Sequence, residues 1–251
     1  MRAILLAAGK GTRISRMIEP VPKCTLPIKT EPLIRYTVKM LIEKGMDITV
    51  CVGYKKEKIY EALEGFDIDY VINPFFEVTN SIASLWFAKE RLDDDLFIMN
   101  ADVFFSRDIL DIVLEYNDDN VLAIDKSRIE LGDYFFATSD NGCLKKYGKE
   151  LPLKERSGEY VGISKISKSF LPTFVERLEK MIDDQQYNKW WENVIYSFTD
   201  KNEKNINTVD VKGKFWAEID YFDDYERILN YLKSQEKRER DVCNEKSLVT
   251  K

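Results

Sequence analysis

An apolar run, Arg2-Ala-Ile-Leu-Leu-Ala-Ala8, empties into a loop that carries Gly9, Gly11, Thr12 and Arg13, and Lys23 follows ten residues after the arginine, behind Pro22. Glycines let a phosphate approach backbone N–H groups closely, and an arginine fork adds a permanent charge for the phosphate oxygens. Pro22 fixes the backbone ahead of Lys23 and helps to aim its ammonium. Further along, Leu96-Phe-Ile-Met-Asn-Ala-Asp102 places an acid directly after an apolar strand, and Asp220 stands in Trp216-Ala-Glu-Ile-Asp220-Tyr-Phe-Asp-Asp-Tyr225. Carboxylates of this kind are the hard oxygen ligands that Mg²⁺ takes together with phosphate oxygens. The chain has no histidine, which removes imidazole acid–base catalysis, the usual catalytic triads and most zinc sites. What is left suits phosphoryl transfer, where an anionic nucleophile needs positioning and charge neutralisation but no general base.

Two common glycine-loop chemistries fail on the letters. A dinucleotide fingerprint counted from Gly9 meets Ile14 at its third glycine, and the second expected strand ends in Gly53-Tyr54 where a ribose-binding acid belongs. The Walker spacing occurs nowhere in the chain. The pattern L-x-A-A-G-x-G-T-R, then Pro22-Lys23 and Leu26-Pro27-Ile28, instead resembles the opening of nucleotidyltransferases that join a nucleoside triphosphate to a phosphorylated small molecule. The resemblance implies a nucleotide site of Leu6, Ala7, Ala8, Gly9, Gly11, Thr12, Arg13, Lys23, Asn80, Ser81, Ala101 and Asp102. It implies that Lys23 neutralises the reacting phosphates and that Asp102 and Asp220 hold Mg²⁺ between nucleotide and nucleophile, giving a catalytic set of Arg13, Lys23, Asp102 and Asp220. Ala101 replaces the glycine usual before the first acid, as in some of the cytidylyl branch.

The run from Asn73 through Asn80, Ser81 and Ser84 to Trp86 is similar to the N-x-x-S-L-W region of bacterial phosphocholine cytidylyltransferase-like enzymes. Asn80 and Ser81 are therefore candidates for hydrogen bonds to cytosine or ribose, and equally for a helix cap. Glu159-Tyr160-Val-Gly162 and Lys189-Trp190-Trp191-Glu192 resemble the acceptor-pocket segments of the same branch. An aromatic face with a carboxylate recognises an amine or quaternary ammonium, so Glu159, Tyr160, Trp191 and Glu192 form the expected acceptor site, with Trp191 and Glu192 as its leading pair. A helix turns about 100° per residue, so at most one of the two tryptophans shares a face with the core. The implied reaction transfers CMP from CTP to phosphocholine, aminoethylphosphonate or a phosphoglutamine-like acceptor, whose carboxylate would need Lys126, Arg128 or Lys165. A sugar 1-phosphate uridylyl- or thymidylyltransferase and a catalytically silent regulatory subunit are the rival readings.

The elements that must position these groups alternate as in an α/β doubly wound fold, with a mostly parallel mixed sheet flanked by helices, Rossmann-like and similar to nucleotide-diphospho-sugar transferases. Strands are expected over 3–7, 48–52, 68–72, 96–99 and 121–125, with helices over 32–44, 56–64, 81–91 and 108–116 between them. Short strands follow over 134–138, 144–147 and 160–166, then helices over 170–182 and 190–198, a strand over 208–211 and a last helix over 222–233. With 251 residues, 44% of them apolar, a single domain over 1–233 is expected, and 234–251 read as a charged, flexible tail. The net charge of −6 comes with interleaved signs, which gives no footprint for nucleic acid or a membrane surface. Cys24, Cys51, Cys143 and Cys243 show no metal-ligand spacing, and no run approaches the ~18 apolar residues of a membrane span. A cytoplasmic enzyme with small-molecule partners is the expectation.

Overall fold

A computed structural model describes residues 1–11, 20–117, 120–201 and 203–249. Strand β1 (Arg2–Ala7) is followed by a two-residue hairpin, β2 (Pro27–Ile28) and β3 (Glu31–Pro32), and by helix α1 (Leu33–Glu43). Then come β4 (Asp47–Val52), α2 (Lys56–Ala62), β5 (Asp69–Ile72), α3 (Ser81–Phe87), β6 (Leu96–Asn100), β7 (Val103–Phe105) and α4 (Arg107–Glu115). The second half holds β8 (Asn120–Asp125), β9 (Phe135–Thr138), β10 (Leu144–Gly148), β11 (Gly158–Ile166), α5 (Leu171–Asp183), α6 (Glu192–Asp200), β12 (Asn207–Asp210), β13 (Trp216–Glu218) and α7 (Phe222–Val249).

Nine of the described strands form one mixed sheet, in which β1 lies between β4 and β6, parallel to both. From β1 the chain winds outward through β4 to β5, then crosses back to place β6 on the other flank. That reversal opens a crevice at the carboxyl ends of β1 and β6. Beyond β6 the sheet turns antiparallel at β11, which pairs with β8 and β9.

Alternation along the strands sorts side chains to the two faces. Leu5, Val50, Val52 and Met99 pack with Val38 and Leu41 of α1 and Ile109 and Val113 of α4. Ile4, Leu6, Cys51 and Ile98 pack on the other face with Leu85 of α3, Phe174 and Leu178 of α5 and Ile195 of α6. Such two-sided burial explains why the parallel strands read as continuous apolar runs. A smaller core joins Leu26 and Ile28 to Phe104, Ile219, Ile228 and Leu232, which ties the β2–β3 hairpin to β7, β13 and α7.

The expected elements are present, with shifted ends. Pro32 sits just before α1 and not in its first turn, while α3 gives way after Phe87 to a 3-10 turn over Lys89–Arg91. The last helix does not stop at Lys233. It runs to Val249 through the segment read as a tail, because neither glycine nor proline interrupts it. The hairpin, β7 and β13 went unread because two or three residues carry no periodicity. Leu5 is wholly buried in the central strand, so Leu5→Ala should lower stability by about 2–5 kcal/mol in urea unfolding.

Candidate active site

The crevice is a cavity of about 630 Å³ whose wall runs from Leu6, Ala7, Ala8, Gly9 and Gly11 past Lys23, Asn80, Ser81, Ala101 and Asp102 to Glu159, Tyr160, Glu192 and Asp220. Its size suits a nucleotide with a small second substrate. Thr12 and Arg13 lie outside the described residues. Gly11 adopts φ +59°, and a Cβ there would stand 2.6 Å from Lys23 Cγ, so the loop passes the lysine stem at a distance only glycine permits.

Lys23 opens a 3-10 turn directly behind Pro22. Its Nζ lies 2.5 Å from Asp220 Oδ1 and 3.4 Å from Asp102 Oδ2. The two acids come together through the backbone: Ala101 N donates to Leu6 O at 3.1 Å, and Ile219 N donates to Asp102 O at 3.0 Å. Asp224 fixes the turn after β13 by accepting from Asp220 N and Tyr221 N. Glu218 brings a third carboxylate to the same wall. Burial alone would lower the Lys23 pKa, but Asp102 and Asp220 outweigh it and raise the ammonium above its ordinary range. Burial raises Asp102, with Lys23 opposing, and burial plus the neighbouring aspartates push Glu218 well above the usual carboxylate range.

Asp102 and Asp220 beside a single ammonium leave an excess of acidic oxygen ligands that a divalent cation fits. Among the described residues no group of three His, Cys, Asp or Glu side chains closes on one metal position. Two carboxylates accord with Mg²⁺, which keeps waters and phosphate oxygens in its remaining positions.

The start of α3 forms the facing wall. Asn80 caps the helix by accepting from Ser81 N at 2.7 Å, and its own N–H donates to Tyr187 O. Ser81 Oγ accepts from Trp191 N at 2.9 Å, while buried Asn73 donates to Thr79 and Ser84. Asn80 and Ser81 thus serve as cap and anchor while still lining the cavity.

At the other end Glu192 is buried, 6% exposed, and its Oε1 accepts from Asn100 Nδ2 at 3.2 Å. Asn100 Oδ1 in turn accepts from Trp191 Nε1 at 3.0 Å. Burial pushes the Glu192 carboxyl up to about 7. Trp191, expected on the acceptor wall, is instead fully buried with Val194, Ile195 and Phe198, which recur at helical spacing on the core face of α6. Its neighbour Trp190 stands on the cavity wall, 41% exposed, edge-on to Tyr134 at 5.6 Å. Tyr160 and Tyr196 complete that aromatic side.

Glu159 accepts from Asp133 N at 2.8 Å and pairs with Arg128 Nε at 2.9 Å. Of the three cations considered for a second anion, only Arg128 reaches the cavity; Lys165 donates to Tyr116 O. Asn100, Trp216 and Glu218 also line the site and were missed. Strand alternation would have found them, since Asn100 is two residues before Asp102 and Glu218 two before Asp220.

A glycine loop, a lysine clamped between two aspartates and a crevice at the strand reversal define a nucleotidyltransferase-type site. The chain belongs to the family of MobA-like NTP transferase domains, whose model matches residues 3–182. It is 28% identical to a CTP:phosphoglutamine cytidylyltransferase of Campylobacter jejuni over 90% of this chain and 98% of that one. It is 26% identical to a choline-phosphate cytidylyltransferase of Streptococcus pneumoniae over 94% and 100% of the two chains. In fold it resembles the Streptococcus pneumoniae CTP:phosphocholine cytidylyltransferase structure, with a TM-score of 0.75 at 23% identity over 92% of this chain and 98% of that one. The inositol-1-phosphate CTP transferase of T. maritima follows with a TM-score of 0.73 at 20% identity, over 92% and 96%.

The raised Glu192 pKa sets a stability signature. A carboxyl raised on folding stabilises the native state fully below its unfolded value, and that contribution is lost as pH rises through about 7. Urea unfolding from pH 5 to pH 8 should therefore show Glu192→Gln gaining on the parent as pH rises, by on the order of 2 kcal/mol; parallel profiles would contradict the assignment.

Proposed function

We propose that the protein is a Mg²⁺-dependent cytidylyltransferase that transfers CMP from CTP to a small acceptor carrying a phosphate or phosphonate and a cationic group. The observation that carries this reading is the meeting, in one cavity, of the Lys23–Asp102–Asp220 cluster with the Glu192 carboxylate and its aromatic wall. The full-length similarity to cytidylyltransferases of phosphoglutamine and choline phosphate supports CTP as the donor.

In the reaction an anionic oxygen of the acceptor attacks the α phosphorus of CTP and forms a new P–O bond. The bond from that phosphorus to the bridging oxygen breaks, and its electron pair leaves with pyrophosphate. No proton has to move, in keeping with a chain without histidine. Gly9 and Gly11 border the triphosphate path, and Thr12 and Arg13 join it on the strength of the sequence motif alone. Lys23, held by its two aspartates, offers positive charge where it grows in the transition state. Asp102 and Asp220 would hold the Mg²⁺ ion, which when bound neutralises phosphate oxygens and helps to orient them. Asn80 and Ser81 face the nucleoside, while Glu192, Tyr160, Trp190 and Tyr134 face the acceptor's cation. Trp191 acts from behind the wall through Asn100.

Among the described residues no helix is long and apolar enough to cross a membrane. Cys24, Cys51 and Cys143 are buried free thiols, which supports placing the enzyme in the cytoplasm.

Pyrophosphate release with CTP, UTP and dTTP against amine-bearing phosphates and glucose 1-phosphate tests the reading. Release confined to CTP with an amine-bearing acceptor is expected, whereas release with UTP and the sugar phosphate would replace it. Lys23→Ala should lower kcat about 10²- to 10³-fold; parental turnover would refute the mechanism. Asp220→Asn should raise the Mg²⁺ concentration for half-maximal rate by about tenfold or more, and an unchanged requirement would remove Asp220 from the metal site.

A further inference from the structure

Toward the Glu159 end the cavity has a fixed cation, Arg128, that the transfer of CMP to a phosphate does not itself require. Arg128 lies just after β8. Its N–H donates to Asp125 O at 3.2 Å, and Asp125 Oδ1 accepts from Ser127 N and Ser127 Oγ at 3.0 and 2.6 Å. The guanidinium stacks on Trp216, with Cζ 4.6 Å from the ring centroid, and that indole is itself fixed by donating to Asp125 Oδ2 at 2.9 Å. Glu159, whose side chain is 6% exposed, takes the Nε edge at 2.9 Å. Asp133 meets Glu159 through its backbone N–H, and its exposed side chain makes no ion pair with Arg128.

One face and the Nε edge of the guanidinium are thus held, yet among the described residues its Nη groups have no hydrogen-bond partner, although Arg128 lines the cavity. A preorganised fork with free Nη donors matches a carboxylate. The order of groups along the wall places it. Trp216 and Glu218 share the cavity face of β13, one strand repeat or about 7 Å apart, and Asp220 comes two residues later. Glu192 is tied through Asn100 to the end of β6, two residues before Asp102. Outward from Lys23 and the aspartates the wall therefore presents carboxylates, then Arg128.

We infer that Arg128 determines acceptor specificity by binding a second anionic group at the far end of the acceptor, which makes the natural acceptor a phosphorylated amino acid. Its phosphate meets the Asp102–Asp220 end, its ammonium faces Glu192, and its carboxylate pairs with Arg128. Glu159 and Trp216 are positioning residues for that guanidinium. The inference rests on the cytidylyltransferase reading of the site.

The test uses matched acceptors that differ by one carboxylate, O-phosphoserine against phosphoethanolamine, with phosphoglutamine as a longer amino acid and phosphocholine as a carboxylate-free cation. The full-length enzyme should give a kcat/KM with CTP at least tenfold higher for its best amino-acid acceptor than for the carboxylate-free ones. Arg128→Met should reduce that preference about 10- to 100-fold, mainly through the acceptor KM, with Arg128→Lys intermediate. Turnover that favours phosphocholine or phosphoethanolamine would overturn the inference and leave the cytidylyl reading standing. An equal loss on all acceptors in Arg128→Met would do the same, because it would make Arg128 a structural prop. UTP turnover with a sugar phosphate, or no transfer with any acceptor, would overturn both.

Discussion

Charge balance at the end of β1 is the constraint on which the site depends. Asp102, Asp220 and Glu218 crowd one lysine at the edge of a buried sheet, where each uncompensated carboxylate carries a desolvation cost. Lys23 offsets part of it, and a divalent cation would offset more.

The sheet supplies the rigidity that makes this crowding possible. Asp102 and Asp220 belong to segments more than a hundred residues apart, yet the backbone bond from Ile219 to Asp102 sets their spacing. β7 and β13 form the two-stranded strip that carries them, and the smaller core of Phe104, Ile219, Ile228 and Leu232 backs it. The long final helix backs this strip through Ile228 and Leu232 and reaches the cavity wall with Asp224 and Arg227 of its first turns.

At the Glu192 and Arg128 end of the cavity, the polar groups are held by one another and by aromatic side chains. Asn100 joins the Trp191 indole to the Glu192 carboxylate, and Trp216 and Glu159 hold Arg128. Aromatic bodies supply the packing and their N–H groups the orientation. Selectivity in such a wall rests on which hydrogen-bonding atoms are already committed, so Glu159 and Arg128 cannot be read as independent ligands.

Much of this was legible in the chain. The continuous apolar runs of β1, β4 and β6 marked a buried parallel sheet, because only burial on both faces tolerates them. The glycine loop could be singled out from its residue types after a strand end, and Lys23, Asp102 and Asp220 from the resemblance that their motifs carry. Two- and three-residue strands were not legible, since pairing across the chain and not local preference forms them. The choice between adjacent tryptophans was likewise open: one had to face the core, and only the packing of α6 decided that it was Trp191. Sequence alone therefore determined the fold class and singled out the residues proposed to handle phosphate, both of which depend on local pattern. The tertiary structure decided which side chains at the Glu192 end reach the cavity, because that depends on packing and hydrogen bonds between residues far apart in the chain.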